Sequence, residues 1–216
     1  MPEEIGLFEA IYTQKAMRRL KPDPVPDELV RKTIDAAIRA PSGGNRQPWN
    51  FIVIRDPETK RVIADYYKRS WDASYGAMPP GALEQMDEQA RRNFRSARYL
   101  AEHLAEVPVL ILVCLRDAPP PGTPDIVRAS HYGSIFPAIQ NLMLAARGLG
   151  LGTALTTIHR AYEREIKELL GVPDNVETVA LIPMGWPKGR FGPAARLPVE
   201  KVTYYERWGV TRAGGS

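Results

Sequence analysis

The chain has 216 residues, 44% hydrophobic and 25% charged, with a net charge of +4 from 29 basic and 25 acidic side chains. This length fits one domain better than two, and the balance is that of a globular protein with enough apolar material for a core, which excludes disordered and collagen-like architectures. No apolar run approaches the roughly 18–20 residues that span a bilayer, the acidic opening MPEEIGLFEA is unlike a signal peptide, and the mixed charge does not point to nucleic acid, so a cytoplasmic location is expected.

In chain order, residues 26–39 read as a helix. Pro26 suits the first turn, Asp27 and Glu28 complement the dipole, and Leu29, Val30, Ile34, Ala37 and Ile38 recur on one face. Pro41 ends it, and SGGN continues as loop. Residues 50–55 read as a strand buried on both faces, and residues 57–69 as a helix. The segment from Ser70 to Gly81 holds Trp71, Tyr75, Met78, Pro79 and Pro80 and shows neither period, whereas 82–104 reads as one long charged helix. Together, residues 70–104 are expected to form a mobile cover.

Pro108 to Leu115 is a second buried strand and DAPPPGTPD a rigid connector. Residues 130–149 form the most apolar helix, which Pro137 should kink or begin. Leu151 to Ile158 reads as a third strand, 162–170 as a short helix capped by Gly171, and Val176 to Met184 as a fourth strand. A basic, proline-bearing tail with YYERWG follows Gly189. No repeat or linker divides the chain, so residues 1–216 read as one domain with a three-layer α/β arrangement around a mixed sheet.

Cys114, the only cysteine, reads as a small buried hydrophobe inside VLILVCL. His103, His131 and His159 lie far apart without carboxylates at ligand spacing, so no metal is expected. Arg91, Arg92, Arg95 and Arg98 form a basic stripe, which reads as a solvated helix face or, more sharply, as a rim for an anionic substrate.

Three distant stretches share one chemistry. Gln14 to Arg19 places cations before a short loop. Ala40 to Trp49 is a glycine-bearing loop with Ser42, Asn45 and Gln47. Arg196 lies in AARLP. Arginine gives bidentate bonds to phosphate, a Gly-Gly loop lets backbone approach a flat ligand, and amide side chains read the edge of a heteroaromatic ring. Taken singly, each also reads as a surface ion pair, a turn after a helix, or a tail arginine in water.

In combination these stretches resemble the FMN-dependent nitroreductase family. The match runs through Gln14 to Arg18, Ala40 to Trp49 (APSGGNRQPW), Ala138 to Thr153 (AIQNLMLAARGLGLGT), Val179 to Pro187 (VALIPMGWP) and Arg196. The resemblance implies a three-layer α+β fold with a mainly antiparallel sheet and an obligate homodimer with a C-terminal tail reaching the partner subunit. It also implies two FMN sites, each lined by both chains. Gln14, Lys15, Ala16 and Arg18 would contact the phosphate and ribityl chain, and Arg196 would close on the phosphate. Pro41, Ser42, Gly43, Asn45 and Gln47 would come from the other chain, and Leu155, Thr156 and Thr157 would lie beside the isoalloxazine, with backbone N–H groups or a threonine hydroxyl directed at its N5 and O4.

Gln14 and Ala16 stand where the family has arginine and serine, so two phosphate or pyrimidine contacts are expected to be weakened, or rerouted through Lys15 or Arg19. The activity implied is ping-pong transfer of electrons from NADH or NADPH to small flat aromatic acceptors such as nitroaromatics or quinones, with no side chain required as an acid. Trp71 and Tyr75 are candidates for stacking on the acceptor. The Thr156–Thr157 pair is also similar to the iodotyrosine deiodinases of the same superfamily, although a lid Glu, Tyr and Lys cannot be placed on residues 70–100. A non-enzymatic flavin carrier or a flavin-fragmenting relative is the reading from another class.

Overall fold

The computed structural model describes residues 5–76, 78–79, 81–120 and 122–212. The acidic opening at residues 1–4, Pro80 of the proline pair and Pro121 of the connector lie outside the described residues. The core is a four-stranded antiparallel sheet in the order β1-β2-β4-β3, built from β1 (Trp49–Ile54), β2 (Val109–Leu115), β3 (Gly152–Thr153) and β4 (Glu177–Gly185).

β2 is buried along its whole length, and its alternation sorts the core into two halves. Val109, Ile111, Val113 and Leu115 pack with α2 (Asp27–Ala37) and α6 (Asp125–Gly148). Leu110, Leu112 and Cys114 pack on the opposite face with α3 (Pro57–Trp71), α5 (Glu88–His103) and α7 (Glu163–Leu170). The result is helix layer, sheet, helix layer, as the pattern of the chain requires. Cys114 is buried as expected, and burial pushes its thiol up to about 11.

Local signals account for some helix ends. Asp56 accepts from the Thr59 N–H at 2.7 Å with Pro57 in the first turn of α3, and Gly171 ends α7 at φ +65°. Four expectations differ. Ser70 and Trp71 are not loop; both are buried in the last turn of α3, which continues as one π turn over Asp72–Gly76. The 82–104 helix is two helices, α4 (Ala82–Gln85) and α5, because Met86 is extended and Asp87 caps a new helix by accepting from the Ala90 N–H at 2.7 Å.

The third strand is only Gly152–Thr153, with an isolated bridge from Thr156 to Leu181. Between them β4 presents Pro183, which has no N–H for the ladder. Lastly, α6 starts at Asp125 and runs through Pro137 without a break. The carbonyl that Pro137 leaves without a donor belongs to Gly133, an exposed residue with no Cβ, where water can reach it. One further helix, α1 (Leu7–Thr13), was not anticipated. It buries only Ala10 and exposes Leu7, Phe8, Ile11 and Tyr12.

Candidate functional site

The open edge of the sheet carries the first motif. Residues 14–20 run along β3: Ala16 bridges Thr153 in parallel, the Met17 N–H donates to the Thr153 carbonyl at 2.8 Å, and Leu20 bridges Pro187. Gly152 permits this approach, since a Cβ there would lie 2.8 Å from the Met17 Cβ. The edge thus fixes the direction in which Lys15 and Arg18 leave the backbone.

Arg18 is half-buried, and burial lowers its pKa while the nearby Tyr67 phenol works in the other direction. No carboxylate among the described residues pairs with it. The Tyr67 hydroxyl lies 2.9 Å from Thr156 Oγ1, and burial raises the phenol's pKa, so it stays protonated at neutral pH. Arg18, Tyr67 and Thr156, far apart in sequence, therefore meet at one place. Lys15 Nζ lies 3.8 Å from where a Cβ on Gly192 would stand, at the start of the tail. A half-buried, uncompensated guanidinium is a donor-only group suited to a phosphate.

The other predicted residues are placed as follows. The Gln14 amide lies 3.8 Å from Met143 Sδ, and Ala16 is exposed. Arg19 does not share Arg18's surroundings; its guanidinium covers the Tyr99 ring at 4.5 Å. Leu155 and Thr156 are half-buried and Thr157 is exposed. The Thr156 N–H donates to the Leu181 carbonyl at 3.0 Å, so this N–H is not directed at a ligand, contrary to one of the roles expected for the 155–157 backbone.

The 41–47 loop is shaped by left-handed φ at Gly44, Asn45 and Gln47. It is pinned by the Gly43 N–H donating to Ser134 Oγ at 3.1 Å and the Gln47 N–H to Ser42 Oγ at 3.1 Å. Pro41, Gly43, Asn45 and Gln47 are exposed, and no hydrogen bond among the described residues joins the loop to segments 14–18 or 155–157. Arg196 is exposed and bonds only the carbonyl of Ala195, at 2.9 Å.

Trp71 and Tyr75 stack at 4.7 Å between centroids, but they differ in exposure: 6% for Trp71 and 43% for Tyr75. Trp71 also meets Phe94 at 5.4 Å. With Met78 they line a cavity of about 370 Å³ whose edges carry the Lys68–Asp72 and Arg98–Glu102 ion pairs. Trp71 is thus a core residue that floors the cavity, and Tyr75 is its exposed wall, on a π turn of the kind often found at functional sites.

Two residues escaped the sequence reading. Tyr67 gives no signal in an amphipathic helix. Arg147 is buried on α6, where Nε donates to Thr13 Oγ1 at 2.8 Å, Nη2 to Glu9 at 3.3 Å, and the guanidinium lies 4.1 Å from the Phe191 ring centroid. It ties the segment before Gln14 to the start of the tail. A lone cation in the apolar run LMLAARGLG was the available clue.

The fold and this edge define a three-layer α+β protein with a cationic, hydroxyl-lined seat beside the open side of its sheet. The model of the nitroreductase family matches residues 11–186. An NADH dehydrogenase of Thermus thermophilus is 28% identical over 210 residues, spanning 91% of this chain and 94% of that protein. The 5,6-dimethylbenzimidazole synthase of Rhodospirillum rubrum is 29% identical over 187 residues, 85% of this chain and 82% of the relative. Among solved structures, an oxidized iodotyrosine deiodinase bound to FMN and 3-iodo-L-tyrosine superposes with a TM-score of 0.69 at 25% identity, covering 94% of this chain and 99% of that one. The chain belongs to the nitroreductase family of oxidoreductases, as its motifs indicated.

Proposed function

We propose that the chain binds FMN and, as a homodimer, passes electrons from NADH or NADPH to small flat aromatic acceptors. The observation that carries this reading is Arg18, half-buried beside the Tyr67–Thr156 hydroxyl pair with no carboxylate partner among the described residues. Lys15, Arg18 and Arg196 hold the phosphate, and segment 155–157 lines the ring. Bound FMN supplies the hydride-accepting and electron-donating chemistry. The protein's part is to seat it and to place protons around it. Of the two hydroxyl protons of Tyr67 and Thr156, one lies between the oxygens and the other is left to donate outward. The Leu155 N–H, which has no acceptor among the described residues, is a second outward donor.

Pro41, Ser42, Gly43, Asn45 and Gln47 serve the site of the other chain, since the loop is rigidly held yet has no hydrogen bond to its own edge. The second copy is further supported by apolar surface. Ile126, Ala129, Gly133 and Phe136 are exposed at helical spacing on α6, with Ile126 80% accessible. The tail exposes Leu197, Val199, Val202 and, at 90%, Trp208, an arrangement suited to lying on a partner.

Anaerobic addition of NADH or NADPH to the flavin-loaded protein tests the reading. Rapid bleaching of the flavin is expected, and a persistent oxidised spectrum with both nucleotides overturns it. A second reading, reductive dehalogenation, is favoured by the Thr156–Thr157 pair and by the likeness to the deiodinase structure. A halophenol beside nitroaromatics, quinones and enones in one kcat/KM panel separates the two.

A further inference from the structure

A second cationic cluster lies beside the first motif. Arg19 covers the Tyr99 ring of α5. Lys188, whose backbone N–H donates to the Arg19 carbonyl at 2.9 Å, also donates from Nζ to the Tyr99 hydroxyl at 2.8 Å. Arg95 is exposed one turn earlier on the same face of α5. The contrast with neighbouring cations is sharp. Arg92 pairs with Glu88, Arg98 pairs with Glu102, and Arg91 is turned back onto the carbonyls of Glu84 and Met86. The acid near Tyr99's stacking partner His103 is Glu106, and His103 itself engages it at 2.7 Å.

Arg19, Arg95 and Lys188 meet no carboxylate among the described residues. A cation over a ring is held in place without being neutralised. Because the Tyr99 oxygen accepts from Lys188, its own proton is left to donate. One guanidinium, an ammonium and a phenol O–H therefore meet at one ring, with a second guanidinium carried one turn away on α5, a set of donors with no carboxylate among the described residues to balance them.

We propose that this cluster binds the 2′-phosphate of a phosphorylated adenine dinucleotide and makes NADPH the preferred reductant. The inference rests on the proposed function. A phosphomonoester carries close to two negative charges at neutral pH, whereas each phosphate of a pyrophosphate bridge carries one, and three uncompensated cations match the former. The exposure of Arg19, Arg95 and Lys188 suits the far end of an extended ligand whose nicotinamide reaches the flavin. Arg19 also offers a stacked guanidinium plane on which adenine can lie.

The test uses flavin-loaded protein with Arg95→Ala and Lys188→Ala combined. The expected result is a rise in KM for NADPH of about tenfold or more, from the loss of two charge-assisted contacts, with kcat, KM for NADH and flavin content unchanged. Equal changes for NADH and NADPH, or none for either, overturn the proposal. Titration of the oxidised protein with NADP+ and NAD+ provides an arm independent of turnover. The wild type should favour NADP+ and the double variant should lose that preference; equal binding of the two by the wild type refutes the site. If neither nicotinamide bleaches wild-type flavin, the proposed function fails, and the titration still decides the cluster.

Discussion

Replacing Arg18 by Met should separate ligand binding from folding, because the two effects have opposite signs. In the chain alone, Arg18 is a desolvated cation with no carboxylate partner among the described residues, and burial lowers its pKa. Removing the charge while keeping an unbranched stem should leave the apoprotein as stable as before or slightly more so. Toward FMN the same change removes a charge-assisted hydrogen bond worth roughly 1.5–3 kcal/mol. At about 2 kcal/mol, Kd rises about 30-fold. With FMN at 100 times the wild-type Kd, binding stabilises the wild type by about 2.7 kcal/mol and the variant by about 0.9 kcal/mol. For a domain of this size, the FMN-induced rise in Tm should shrink from roughly 5–11 °C to roughly 2–4 °C. Paired thermal melts of apo and FMN-loaded protein read both quantities. An Arg18→Met protein that keeps the full FMN-induced shift, or whose apo form loses more than about 1 kcal/mol, would show that the guanidinium serves the fold rather than the phosphate.

Arg196→Ala should weaken FMN binding by a similar ~1.5–3 kcal/mol, with the apo melt unchanged because the side chain is exposed; wild-type affinity removes Arg196 from the clamp. Phe136→Asp on the exposed stripe of α6 should dissociate the dimer and release flavin, and light scattering of a flavin-loaded wild type at the 24.1 kDa monomer mass refutes the assembly. Tyr75→Ala should alter acceptor KM with little change in stability, whereas Trp71→Ala should cost about 3–5 kcal/mol as a buried aromatic; equal stability losses would mean that the cavity wall is only packing. His159 is buried, and burial lowers its pKa to about 4 despite the nearby Glu163. The unfolded chain therefore binds the proton first as pH falls, so stability declines from about pH 6.5 to about pH 4, by on the order of 2–3 kcal/mol. His159→Gln should flatten that part of the pH–stability curve, and an unchanged slope assigns it to other groups.

Much of the layer arrangement was legible in the sequence because burial leaves a periodic trace. VLILVCL, the apolar face of residues 26–39 and the run around Leu142 each point to one place in a three-layer core, and the APSGGNRQPW loop with Arg18 named the family. What failed was what depends on neighbours. The stretch 151–158 has a strand's composition, yet its ladder is interrupted between Thr153 and Thr156 because Pro183 on the adjacent strand has no N–H to offer. Trp71 looked like part of a loop because periodicity fades at the end of a helix, and only its contact with Phe94 on α5 shows it to be core.

The residue types of the site were likewise fixed by the chain, but their roles were not. Arg18 and Arg19 are adjacent and chemically identical. One enters the seat beside Tyr67 and Thr156, and the other leaves it to cover Tyr99. Successive side chains on an extended segment point to opposite sides, so that division depends on which elements pack there. Tyr67 and Arg147 acquire meaning only from partners 89 and 134 residues away along the chain. Sequence alone determined that a chain with the nitroreductase family's motifs would fold into three layers. Which cation is half-buried and which lies exposed over a ring was decided by tertiary packing, because charge is carried by the residue while desolvation and direction come from its neighbours.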